Sequence, residues 1–163
     1  MSKIIIIRGA SGSGKSYEAE QRLIAHYNQP TKISVQFFEA DQWFKVSGEY
    51  KFDAKELGSA HLWCRISVEK FIRGWPDCVA IVSNTSTTYK EMLPYALLAD
   101  KYGCEIEIVE PSTPWKNNPE ECHKLNSHNV PLDTIRAQMD RLSKNPIKCG
   151  IYDAKTLLEI LEQ

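Results

Sequence analysis

Eight residues constrain this chain more than any others: Gly9-Ala10-Ser11-Gly12-Ser13-Gly14-Lys15-Ser16, set directly after the apolar run KIIIIR at Lys3–Arg8. The spacing GxxxxGK[ST] needs glycine where backbone N–H groups turn inward around phosphate oxygens. The lysine then reaches the terminal phosphates, and the last hydroxyl enters the shell of a Mg²⁺ ion. The context fits the motif. An unbroken isoleucine run is the pattern of a strand buried on both faces, and a helix is expected to open at Lys15. A chance glycine-rich turn would give Lys15 no reason to sit at a helix N-terminus, where the dipole disfavours a cation. Gly9, Ala10, Ser11, Gly12, Ser13, Gly14, Lys15 and Ser16 are therefore expected to hold a nucleoside triphosphate, with Ser16 as the metal ligand.

The rest of the chain repeats the theme of that first strand. Ile33–Glu39 (ISVQFFE), Cys78–Ser83 (CVAIVS) and Cys104–Glu110 (CEIEIVE) are short apolar runs. Helical patterns separate them at 17–27, 54–73 and 89–102, and two more follow at 131–143 and 153–162. In the longest helix Leu57, Ala60, Cys64, Val68, Phe71 and Ile72 recur at helical spacing. Strand and helix in alternation predict an α/β fold in three layers: a mostly parallel central sheet, right-handed crossovers and helices on both faces. A small helical lid is expected over about 112–143, reached through the connection Pro111–Pro119. The 163 residues read as a single domain, 1–163.

Composition narrows the partners. A net charge of −1, with acid and base interspersed, argues against a broad basic face for coating nucleic acid but not against a pocket for one or two phosphates. The five cysteines are odd in number and lack CxxC spacing, which predicts reduced thiols, no zinc site and a cytoplasmic location. The run Ile4–Ile7 is too short to cross a bilayer, and no membrane partner is expected.

Phosphate-loop enzymes commonly place a carboxylate at the end of a core strand. CVAIVS ends instead in Ser83-Asn84-Thr85. The nearest acid at a strand end is Asp41, two residues beyond FFE. That arrangement suits a kinase, in which Asp41 takes the proton from an acceptor hydroxyl. The alternative is that Asp41 only caps the turn beginning Gln42-Trp43.

The strings FEADQWF, YKFDAKELGSAHLWC, VAIVSNTSTTYKEMLPYALLADKYG and NSHNVPLDTIRAQMDRL resemble the P-loop 5′-kinase domain of bacteriophage polynucleotide kinase. They resemble still more the homologous kinase domain of eukaryotic proteins that bind a HECT-type ubiquitin ligase. The likeness runs from about residue 3 to 143. It implies ATP and Mg²⁺ as cofactors, transfer to a polynucleotide 5′-hydroxyl, Asp41 as general base, and Asn84 and Thr85 near the phosphates. Lys124 and Asn126 fall in the segment that forms the lid over the nucleotide. Two departures bear on the site. Leu125 stands where relatives carry the lid arginine, and Lys124, Arg136 or Arg141 could supply that cation. Phe44 stands where the phage enzyme has an arginine that grips the acceptor phosphate.

Around Asp41 the chain offers Trp43, Phe44, Tyr50 and Phe52, which could stack a base or fill the gap between lid and core. His61, Arg65 and His128 are further candidates, each weighed against an ordinary surface role. The expected activity is ATP- and Mg²⁺-dependent phosphoryl transfer to a 5′-hydroxyl nucleic acid end. A kinase for a small hydroxylated acceptor or nucleoside is one alternative, and a triphosphate-binding interaction module with little transfer is another.

Overall fold

The isoleucines of strand β1 (Lys3–Ile7) divide between two cores, as a strand covered on both faces requires. Ile4 and Ile6 join one apolar cluster, while Ile5 and Ile7 join the other. This arrangement comes from a computed structural model that describes residues 1–31, 33–46 and 48–163. Strand β5 (Cys78–Val82) is split the same way, with Cys78, Ala80 and Val82 on the first side and Val79 and Ile81 on the second.

Between them run helix α1 (Lys15–Tyr27), strand β2 (Ser34–Phe38), a 3₁₀ turn at Ala40–Phe44, a short hairpin of β3 (Lys45–Val46) and β4 (Glu49–Tyr50), and helix α2 (Leu57–Gly74). After β5 come α3 (Tyr89–Tyr102), β6 (Glu105–Val109), α4 (Pro119–Leu125), α5 (Leu132–Lys144), β7 (Gly150–Tyr152) and α6 (Ala154–Leu161). The main sheet has the order β2-β5-β1-β6-β7. Its first four strands are parallel, and β7 pairs antiparallel with β6. The α/β architecture expected from the sequence is thus present: a mostly parallel five-stranded sheet with six helices.

Helices α2, α3 and α6 supply Ala60, Cys64, Met92, Ala96 and Leu157 to the larger core, and α1 supplies Ala19 to the smaller one. The alternation in CEIEIVE has a physical reason. Ile106 and Ile108 point into the larger core, while Glu107 turns the other way to meet Arg22 at 2.8 Å and Lys3 at 3.3 Å. Leu57 departs from the expected apolar stripe of α2, since it is 41% exposed. Two features were not expected from the pattern: the β3–β4 hairpin, and β7, whose Ile151 is exposed and so leaves no buried run to read.

Because β1 is central, with β5 on one side and β6 on the other, the segments following these strands converge at one sheet edge. Arg8, only 1% exposed, ties that edge together. Its guanidinium donates to the carbonyls of Ser86 (3.0 Å), Thr87 (3.1 Å) and Asn145 (2.8 Å), joining the end of β1 to the segment after β5 and to the end of α5. A buried charge is costly unless its donors are satisfied, and three carbonyls satisfy this one.

Candidate active site

The loop after β1 wraps into the first turn of α1, where Gly14 is the N-cap residue in a left-handed conformation (φ 103°). Gly12 is also left-handed, at φ 79°, and a Cβ on it would lie 2.0 Å from the Cys122 carbonyl oxygen. These two glycines are therefore required twice over, by backbone torsion and by the close approach of the chain outside the loop.

That outer layer is the segment expected to be a connection and lid. Thr113 Oγ1 donates to the Ser13 carbonyl at 2.6 Å, and Trp115 Nε1 donates to the Gly12 carbonyl at 3.1 Å. From α5, Gln138 Oε1 accepts the Ser11 N–H at 2.9 Å while its Nε2 donates to Ser11 Oγ at 3.1 Å. Ala10, Cys122 and Ile135 form a third small core beneath. Thr113 and Trp115 thus dock this segment on the phosphate loop, so it is not a free connection.

Lys15 is enclosed. Its Nζ donates to the Ala10 carbonyl at 2.9 Å. Burial pulls its pKa down to about 8, against the fields of Asp41 and Glu39 that favour the charged form. An ammonium so poorly served by its surroundings is matched by an anion, and phosphate oxygens would supply one. Ser13 Oγ is buried without a hydrogen-bond partner among the described residues, a second polar atom left over in the cradle.

Facing the loop, the Ala40–Phe44 turn carries Asp41. The N-cap residue of this turn is Glu39, whose N–H donates to Gln42 Oε1 at 3.5 Å. The capping alternative for Asp41 is corrected on that geometry, because Asp41 lies inside the turn and its carboxylate faces the cleft. Tyr50 Oη donates to Asp41 Oδ1 at 3.1 Å. His128, from the α4–α5 loop, brings Nε2 to 3.6 Å from Asp41 Oδ2 and stacks on the Tyr50 ring at 4.2 Å. The turn is anchored from β5, where Asn84 Oδ1 accepts the Ala40 N–H at 2.8 Å and Asn84 Nδ2 donates to Tyr95 Oη at 3.4 Å.

A cleft of about 780 Å³ joins these parts. Ser11, Gly12, Gly14, Lys15, Ser16 and Thr85 line it, together with Glu39, Asp41, Tyr50, Phe52 and His61. Gly9 and Ala10 sit behind the loop: the Gly9 N–H donates to the Thr85 carbonyl at 3.1 Å, and Ala10 is buried. Ser16 and the carboxylates of Glu39 and Asp41 share the cleft, an all-oxygen set of the kind that suits Mg²⁺.

The lid cations separate. Lys124 pairs with Glu121 at 3.1 Å and Arg136 with Glu120 at 2.7 Å; both side chains are mostly exposed, and neither lines the cleft. Arg141 does line it. Its Nε donates to Thr87 Oγ1 at 3.0 Å, and its terminal nitrogens have no partner among the described residues. Of the aromatic group, Phe44 is buried, and Trp43 turns to Glu56 (3.3 Å) and Trp63 (6.1 Å), so only Tyr50 and Phe52 reach the cleft.

Sequence reasoning passed over Gln138 and Glu39. Gln138 left a signal, since it stands three residues after Ile135 on the buried face of α5, where a polar side chain calls for a partner.

A mostly parallel sheet, a glycine-rich phosphate cradle at the end of its central strand and a small helical layer over that cradle define a P-loop domain of the kinase type. The chain belongs to the AAA domain family, whose family model matches residues 4–145. It is 31% identical over 141 residues to NEDD4-binding protein 2 of Homo sapiens, covering 86% of this chain and 8% of that protein. It is also 23% identical over 164 residues to 2′,3′-cyclic-nucleotide 3′-phosphodiesterase of Rattus norvegicus, covering 98% of this chain and 36% of that protein. Among solved structures it resembles a chain of the Pnkp1/Rnl/Hen1 RNA repair complex, with TM-score 0.65, 18% identity and coverage of 88% of this chain and 44% of that one. The Deinococcus radiodurans tunicamycin resistance protein has TM-score 0.54 at 15% identity, covering 99% of this chain and 95% of that one. At such identities these two structures speak for the fold. The chain spans well under half the length of either curated relative.

Proposed function

We propose that this protein transfers the γ-phosphoryl group of ATP to a hydroxyl, with the 5′-hydroxyl end of a polynucleotide as acceptor. The observation that carries the reading is that Asp41 lines the same cleft as Lys15 and Ser16. A bound nucleotide needs only the loop. A carboxylate aimed into the same space is what transfer adds, because an acceptor hydroxyl has to lose its proton.

In this reading the loop amides and Lys15 hold the β- and γ-phosphates. The Ser16 hydroxyl would hold Mg²⁺, which when bound neutralises charge on the phosphate oxygens. The Oδ2 side of Asp41 receives the acceptor, since His128 stands 3.6 Å away, longer than a hydrogen bond. As the acceptor oxygen bonds to the γ-phosphorus, its proton passes to Asp41. The bond to the bridging oxygen breaks, and ADP leaves with that electron pair. Tyr50 and Asn84 fix the carboxylate, and Arg141 supplies the lid cation that Leu125 cannot.

Support for a nucleic acid acceptor comes from the sequence resemblance and from a structural neighbour that stands in an RNA repair complex. A specific feature favours a second reading, transfer to a nucleoside or other small neutral hydroxyl compound. Phe44 is buried in the core and offers nothing to an acceptor phosphate. Incubating the protein with γ-labelled ATP, Mg²⁺ and a panel of 5′-hydroxyl oligonucleotides, nucleosides and sugars tests both. Label entering the oligonucleotides supports the first reading, and label confined to nucleosides or sugars supports the second.

A further inference from the structure

Beside Asp41 the cleft is lined by rings and an aliphatic side chain. Phe52 and Leu57 both line it, and both are large apolar groups left 54% and 41% exposed. Neither position is an accident of a disordered surface. Phe52 packs on buried Phe44 with ring centroids 5.1 Å apart, and Phe44 in turn meets the edge of Tyr50 at 6.2 Å. Leu57 is fixed as the first residue of α2. Tyr50 is hydrogen-bonded to Asp41, so the row leads from Asp41 through Phe44 to the exposed Phe52.

The rings in this row are not equivalent. Phe44 is buried, and a face of Tyr50 is already covered by His128. Phe52 is the aromatic residue of the group whose ring remains open to a ligand. Glu39 and Asp41 line the cleft beside these rings, with His61, and the nearby Lys45 is paired to Glu39 at 3.7 Å. Two carboxylates repel a phosphate, whereas a flat, uncharged ring meets no such penalty here.

We propose that Phe52, backed by Phe44 and faced by Leu57, is the shelf on which the terminal base of the acceptor stacks, so that recognition is of the base rather than of the backbone phosphates. This rests on the transfer reading above and adds its selectivity. Stacking tolerates any base because each has a π-face, and removing one aromatic platform costs about 5- to 150-fold in affinity. The arrangement also accounts for how a protein of net charge −1 could engage a nucleic acid end.

The test uses the whole protein with ATP and Mg²⁺, and two matched acceptor pairs. One pair is 5′-hydroxyl oligonucleotides identical except that the first nucleotide carries a base or is abasic. The other is a nucleoside and the free pentose. The wild type should prefer the base-bearing member of a pair by roughly 5- to 150-fold in kcat/KM. Phe52→Ala should lose that preference, Phe52→Trp should keep it, and ATP affinity should be the same in all three. Leu57→Ala should reduce the preference in the same sense. Equal use of both members by the wild type, or a preference that survives in Phe52→Ala, would overturn the shelf and leave the transfer reading standing. No transfer to any acceptor would overturn the transfer reading and the shelf with it.

Discussion

Asn84 holds the Ala40 N–H at 2.8 Å and thereby fixes the turn on which the next residue, Asp41, is carried. The sequence resemblance places Asn84 near the phosphates, but its side chain is spent on this anchor and on Tyr95. Asn84→Ala should lower phosphoryl transfer by roughly 10- to 100-fold, because a misplacement of about 1 Å costs up to 10²-fold. ATP affinity should stay within a few-fold of wild type. Asn84→Asp, which keeps an oxygen acceptor for Ala40, should recover part of the loss. A fall in ATP affinity matching the fall in rate would show that Asn84 serves the nucleotide instead.

Lys15 gives the site a pH signature. In the free protein burial brings its pKa down to about 8, so near pH 8 about half of the molecules carry it neutral. A bound polyphosphate favours the ammonium and raises that pKa. Binding of ATP at pH 8 should therefore take up about half a proton, and none on this account at pH 6, where Lys15 is charged in both states. ATP affinity should weaken as pH rises through 8. Calorimetry in buffers of different ionisation enthalpy measures the uptake, and proton release at pH 8 would contradict the assignment.

Arg141 should behave unlike the other two lid cations. Removing one preorganised charge from a transferring group typically costs on the order of 10²–10³ in turnover. Arg141→Ala should show a loss of that size with fold and ATP binding nearly intact. Lys124→Ala and Arg136→Ala should be close to neutral, since each removes only an exposed pairing with a glutamate. The three single variants, assayed for kcat and for melting temperature, decide the matter. Equal turnover in all three would remove the cation from α5.

The contrast among those cations shows what was legible in the sequence and what was not. The phosphate loop was plain because its function constrains backbone torsions, and torsions constrain residue types at fixed spacing. Strands β1 and β5 were plain because burial on both faces demands continuous apolar runs, and β6 because its isoleucines alternate with glutamates. Helix α5 was visible too, but which of its polar residues turn inward depends on its rotation against the loop. Arg136 and Arg141 lie five apart and so on different faces, whereas Gln138 and Arg141 lie three apart and share one. Gln138 at the buried stripe was the clue that could have selected Arg141. The docking of Thr113 and Trp115 left no such trace, because it is written in loop carbonyls rather than in side-chain pattern. Asp41 was picked out by position, but only the structure separates it from capping by giving that task to Glu39.

The most direct measurement is phosphoryl transfer by Asp41→Asn, made beside ATP affinity on the same preparation. Asparagine is nearly isosteric and its Oδ1 still accepts the Tyr50 hydroxyl, so the turn should hold. It cannot take a proton from an acceptor at neutral pH. Transfer should fall by roughly 10²–10⁴-fold, the usual contribution of a positioned general base, while ATP binds as tightly as to the wild type. Wild-type transfer rates from Asp41→Asn would contradict the account at its centre.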